Sequence, residues 1–485
     1  MLDKAQLQQE IGTALAAPKT MDPLLDAKRH RGLQFIVEVH PHQSQADVAA
    51  AFQALSDHFA VEPLFPAADF APTPPGQAPT WRDLTYIATV QSAAFDDVSA
   101  SATDIAEAAR AAGGLVSVMP DIPVAAPEPS SEATVESTNV PGVGWEYITM
   151  RIQKAWAYIR SKNRLPGEGI LIGHPDTGWN RHDVWGRISP MPDFVPPNLD
   201  IGKSKNFVPG EEGRDAQDPL TGLKPFNFSG HGNATAAAIV APDTVTDRNG
   251  NNPRPNSVIG VAHKATLMPI RCVRSVILVP GLAELARAID YAREQGCRVI
   301  SISLGQPTSV GPDPNDVVYK AVQEAVKANI IVVAAAGQYA LWPFDRTCFP
   351  AAFPGCIAVA GIGGIVTNDP EENFGRWNPS HRNPKGSIAI SAPASPVWCA
   401  DAAENTTNSF VLGEGTSFST AFIAGIAALW LSLHYPNGFP GPPGTAPDVF
   451  RRLLWETKRL PTNNVWFDPY FVGIVDAEAM MRRSA

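Results

Sequence analysis

The spacing of apolar and polar positions changes along the chain, and the changes divide it. Residues 33–39, Leu-Gln-Phe-Ile-Val-Glu-Val, predict a strand, and residues 46–59 carry apolar side chains at helical spacing. Residues 83–90 read as a second clear strand, 102–112 as a second helix and 115–119 as a closing strand, with a weaker strand at 61–65. The order β-α-β-β-α-β is the split ferredoxin-like one, and it predicts a small α+β domain over residues 31–120. Ahead of it, residues 1–30 are a polar, alanine-rich extension with a short amphipathic helix over 4–15 and no assigned function.

Between Pro120 and Gly144 no period is sustained, and Pro, Ser, Thr, Glu and Val dominate; residues 121–144 read as an extended linker. Beyond it, over residues 145–485, short apolar runs alternate with helical patterns, as in a parallel sheet covered on both faces. Strands are predicted at 169–173, 266–273, 298–303, 330–335 and 356–360, and helices at 234–239, 282–295, 315–328 and 416–431. A Pro/Gly-rich turn at 437–447 precedes a last helix at 448–459. The expected architecture is a doubly wound α/β domain preceded by the small α+β one. In such sheets, sites gather at the carboxyl ends of the strands.

Composition narrows the classes of function. A chain of 485 residues with 44% hydrophobic and 18% charged residues can bury a sizeable core in more than one domain. The formal charge of −10 and the lack of a dense Lys/Arg run argue against nucleic acid as a partner. The first ten residues do not form a secretory signal, and the apolar stretches at 330–337 and 421–433 are too short to span a bilayer. The five cysteines show no metal-ligand spacing and read as reduced core thiols, although Cys348 and Cys356 are close enough in sequence to approach each other. A soluble, cytoplasmic protein with no membrane partner is expected.

The candidate chemistry centres on residues 413–430, where a Gly-bounded turn runs into a helix that is small and apolar on every face. Such a helix belongs inside the fold. Ser417 stands at its start, beside free backbone N–H groups and the positive end of the helix dipole, where negative charge is favoured. A serine there is more commonly a cap than a nucleophile, so its partners decide. Asp176, in His-Pro-Asp-Thr-Gly, closes the first strand of the large domain, although Asp-Thr-Gly is also a common turn. His231, in Ser-Gly-His-Gly-Asn-Ala-Thr, is the only one of the ten histidines between two glycines, a setting that leaves a base free to meet two partners. His174 and His182, which flank Asp176, read as supporting or loop groups. Gln338 ends Ala-Ala-Ala-Gly-Gln after a predicted strand, and with the backbone N–H of Ser417 it is the candidate oxyanion donor.

The order Asp-Thr-Gly, Gly-His-Gly, Gly-Thr-Ser resembles the subtilisin-like serine proteases, from about residue 169 to 479. Ser301-Ile-Ser-Leu-Gly, Phe349-Pro-Ala-Ala-Phe-Pro and the closing Gly-Ile-Val-Asp-Ala-Glu-Ala extend the likeness. The resemblance implies that Ser417 attacks the peptide carbonyl, His231 moves the proton and Asp176 orients the imidazole. It implies that Ser303, Leu304 and Gly305 face Ala335, Ala336 and Gly337 as the walls of the pocket for the residue before the cut. It implies a polypeptide substrate and an N-terminal domain that acts as an intramolecular inhibitor until cleavage or an activating protein releases it. No cofactor is needed for this chemistry; calcium is a frequent structural ion in the family, but no acidic cluster here assigns its ligands.

Departures from the family pattern are present. Gln338 stands where that family usually has Asn, Gly-Asn-Ala-Thr replaces the usual residues after the histidine, Ala421-Phe422 replaces Pro-His, and Pro175 precedes Asp176. A second reading therefore stays open, a catalytically weak or inactive relative that binds polypeptides.

Overall fold

The computed structural model describes residues 33–90, 99–121, 142, 144–186, 196–211, 215–220, 230–243, 258–276, 278, 282–306, 312–338, 347–377, 380, 387–402, 409–461 and 472–484. The predicted helix at 4–15 and nearly all of the linker lie outside them. The chain forms two compact units, one of residues 1–126 with 208–212 and 278–287, the other of the remainder.

The first unit has the predicted order: β1 (Leu33–Glu38), α1 (Gln45–Gln53), β2 (Phe59–Pro63), β3 (Thr85–Val90), α2 (Ser99–Gly113) and β4 (Ser117–Pro120). The strands lie in the order β2-β3-β1-β4 and pair antiparallel throughout. Asp47 accepts the Ser44 N–H at 2.7 Å, tying off the start of α1. The helix ends at Gln53, short of the predicted residue 59. Phe59 is buried as a strand residue, its ring against Phe35 and Phe52, so its apolar character belongs to the sheet and not to a further helical turn.

After the linker come α3 (Trp145–Thr149), α4 (Ile152–Ser161), β5 (Leu171–Asp176), β6 (Lys205–Asn206), α5 (His231–Val240), β7 (Thr266–Arg271), α6 (Leu282–Glu294), β8 (Val299–Ile302), α7 (Val317–Lys327) and β9 (Ile331–Ala335). The chain ends with β10 (Ile357–Gly364), β11 (Phe374–Arg376), β12 (Ile388–Ser395), β13 (Val397–Asp401), β14 (Ser409–Gly413), α8 (Thr416–His434), α9 (Thr445–Thr457) and α10 (Ala477–Met481). An eight-stranded sheet runs β11-β10-β9-β8-β5-β7-β6, with β12 beside β10. Every pairing in it is parallel except β10 with β11.

The strands and helices predicted for the large domain are all present, with shifted ends. Helix α7, predicted from residue 315, starts at Val317 because Asp316 caps it, accepting the N–H groups of Val318 and Tyr319. The elements not anticipated are α3, α4, β6, β11, α10, the β13–β14 hairpin and β12, which carries Pro393.

Pro175 is accommodated by the register. Leu171 O accepts from Arg298 at the start of the β8 side, and Asp176 O accepts from Cys272 on the β7 side. Odd-numbered residues of β5 therefore face β8, and the β5–β8 pairing ends at Gly173. The N–H that Pro175 lacks points where no ladder bond is made.

Helix α8 runs through the core. Residues 418–432 are buried on all its faces, with Trp430 fully enclosed. Its length and apolarity match a membrane span, but 89% of its most apolar window is buried inside the protein, which makes it a core helix.

Candidate active site

Asp176 is the last residue of β5 and is fully buried. Its Oδ1 accepts the Thr177 N–H at 2.7 Å and the His231 Nδ1–H at 2.8 Å. Burial alone would push this carboxyl up, but the charge and hydrogen bond of His231 outweigh it and hold it below the usual carboxylate range. His231 opens α5, and its side chain keeps 14% of its surface exposed, enough to meet a second partner.

The two glycine motifs interlock around this pair. A Cβ on Gly232 would fall 2.2 Å from Gly178 O and 3.2 Å from Asp176 Cβ, so only glycine lets the helix start lie against the strand exit. Gly232 N–H donates to Thr177 Oγ1 at 3.1 Å. Fully buried Asn233 accepts from Trp185 Nε1 at 2.9 Å and from the Asn180 N–H at 3.3 Å, which ties the loop after β5 to α5.

Ser417 is the second residue of α8, after Gly415 at φ 147. Its Oγ lies 3.4 Å from Ser303 O, and Ser303 Oγ donates to Ser417 O at 3.0 Å. The start of α8 and the end of β8 thus hold each other. Gln338 Oε1 accepts the Thr416 N–H at 3.2 Å, which leaves its amide N–H groups as the free end. A Cβ built on Gly415 would lie 3.6 Å from Gln338 Oε1 and 3.7 Å from the Ser417 nitrogen, so the two candidate oxyanion donors flank the same turn. Helix α5 packs against α8, which sets the helix of His231 beside that of Ser417.

The two candidate pocket walls leave neighbouring strands, with Ile302 opposite Ala334. Ser303, Leu304, Ala335 and Ala336 are buried, whereas Gly305 and Gly337 are partly exposed. Part of their backbone is already engaged: Ala336 N–H donates to Val359 O, Ala336 O accepts from Cys348, and Gly305 N–H donates to Val276 O. A substrate strand would have to use the remaining groups.

Two residues that sequence reasoning missed or left in the background sit under the pair. His174 is fully buried, its Nε2 3.1 Å from Thr235 Oγ1 and 3.8 Å from Asp176 Oδ2. Burial pushes its imidazole down to about 4, against the upward pull of Asp176, so it is neutral at neutral pH. Thr235 Oγ1 lies 3.4 Å from Asp176 Oδ2 and 3.0 Å from His231 O. Thr235 was legible as the residue four after His231, on the same helix face.

All five cysteines are buried and outside any disulfide, with Cys348 and Cys356 pushed up to about 12 by burial. Among the described residues, no three His, Cys, Asp or Glu side chains gather as metal ligands.

A buried carboxylate bonded to an imidazole at the end of a parallel strand, and a serine at the start of a buried helix packed beside that of the imidazole, match a serine-hydrolase type of α/β domain. The sequence profile of the subtilase family matches residues 167–471, and the chain belongs to that family. It is 28% identical over 308 residues to an intracellular serine protease of Paenibacillus polymyxa, covering 62% of this chain and 77% of that one. It is 25% identical over 302 residues to the M-protease of Shouchella clausii, covering 62% of each chain. Among solved structures, a protease from Pseudoalteromonas arctica PAMC 21717 superposes with a TM-score of 0.51 at 21% identity, over 71% of this chain and 98% of that one, a likeness of fold.

Proposed function

We propose that this chain is a serine endopeptidase that works through Asp176, His231 and Ser417. The observation that carries the reading is the 2.8 Å bond from His231 Nδ1 to a fully buried Asp176, which leaves Nε2 as the basic nitrogen. In the reaction, Ser417 Oγ adds to the peptide carbonyl while His231 takes its proton and returns it to the leaving amine. Water then attacks the acyl-enzyme by the same proton route. The oxyanion is met by the Gln338 amide and the Ser417 N–H. The likeness to an intracellular serine protease supports work on polypeptides inside the cell. The small β-α-β-β-α-β unit is read as the inhibitor of this site.

Intact-mass analysis after incubation with a fluorophosphonate tests the assignment. Wild type is expected to gain one adduct and Ser417→Ala none. Absence of label on wild type, both full-length and without residues 1–120, would sink it.

A further inference from the structure

The carboxylate of Asp176 is held unequally. Its Oδ1 has two short bonds, from Thr177 and His231, whereas among the described residues Oδ2 meets Thr235 Oγ1 at 3.4 Å and, further off, His174 Nε2 at 3.8 Å. His174 is two residues before Asp176 on the same strand face, and Thr235 is one helical turn after His231. The two side chains therefore come from the elements that carry the first two members of the proposed triad, and they meet at 3.1 Å beneath it.

His174 Nδ1 has no hydrogen-bond partner, and only Nε2 faces acceptors. The single proton of the neutral ring thus sits on Nε2 and donates to Thr235 Oγ1. With a lone pair of that oxygen so occupied, the threonine proton is turned away from the ring, towards His231 O at 3.0 Å, Gly232 O at 3.4 Å and Asp176 Oδ2. A valine pair would fill the same space without an unmet nitrogen, so packing alone does not account for these two residues. Arg271, on the neighbouring strand, is turned to Thr177 O and lies 3.7 Å from Asp218.

We infer that His174 and Thr235 are positioning residues: His174 sets the direction of the Thr235 hydroxyl, whose single proton is shared between Asp176 Oδ2 and His231 O in a three-centre hydrogen bond. This bridge fixes the plane of the carboxylate against the helix that carries the imidazole. The turnover part of the inference rests on the endopeptidase reading; the structural part needs only the Asp176–His231 pair.

The test uses two readouts on the full chain. In the Ser417→Ala background with ¹⁵N-histidine, the proton of His231 Nδ1 in its bond to Asp176 is followed by NMR. Thr235→Val is expected to move that resonance and hasten its exchange with water. His174→Val should do the same, while Thr235→Ser and His174→Gln, which keep a hydroxyl and an N–H near the same points, restore it. In the otherwise wild-type chain, Thr235→Val should lower kcat by about 10- to 100-fold with KM unchanged. A folded Thr235→Val with an unmoved resonance and wild-type kcat overturns the inference, as does a serine or glutamine variant that behaves like the valine ones. Where Thr235→Val fails to fold, comparing His174→Val with His174→Gln decides the same question. A wild type that takes no fluorophosphonate label would strike the endopeptidase reading alone, since the resonance still reports the bridge.

Discussion

Gln338 stands where the resemblance to the subtilisin-like proteases implies an asparagine. Its extra methylene would be a handicap if the amide swung freely, since a donor contributes only when it is aimed at the developing charge. Here the carbonyl end is anchored by the Thr416 N–H, and the preceding Gly337 takes φ 96, a conformation that lets the backbone turn the long side chain back. An anchored amide should serve as a donor. Gln338→Ala is therefore expected to lower kcat on a peptide substrate by about 10²- to 10³-fold while KM changes little. Steady-state kinetics decide it, and an unchanged kcat would place the oxyanion elsewhere.

At the scale of the element, β5 is a strand with two titratable groups on one buried face. In the unfolded chain the His174 imidazole takes its proton near 6.5, in the fold only near 4. Between those values the unfolded state binds more protons, so stability falls as the pH drops through this window, by on the order of 3 kcal/mol in all. His263, pushed down to about 4 chiefly by burial, adds a loss of the same sign. Denaturation measured at pH 7 and pH 4.5 should show the loss, and His174→Val should reduce it. A variant with the wild-type pH dependence would show that His174 is not the group responsible. The short apolar run of this strand was readable, and so was Asp176 at its end. The role of His174 was not, because a run of apolar residues says that a strand is covered but not what covers each side chain. Thr235 and Asn233 come from a helix some fifty-five residues further on. Element ends were misread where a cap or a neighbouring sheet, as at Asp316 and Phe59, overrode the local period.

Across the whole molecule, the two architectures were legible because each carries its own rhythm of apolar positions, and the Gly-flanked motifs marked the site. The engagement of Gly305 and Ala336 within the fold was not, since backbone partners leave no trace in side-chain pattern. The small unit offers a test at this scale. Deleting residues 1–120 should raise the rate of hydrolysis of a short chromogenic peptide, and an unchanged rate would leave that unit without an inhibitory role. The proposed site also has a history written into its chain order. A polypeptide leaving the ribosome displays Asp176 first, His231 next and Ser417 last, and these meet only when strands distant in sequence have closed into one sheet, a slow, non-local event. On the endopeptidase reading, the nascent chain thus carries no finished blade past its neighbours while it is still being made.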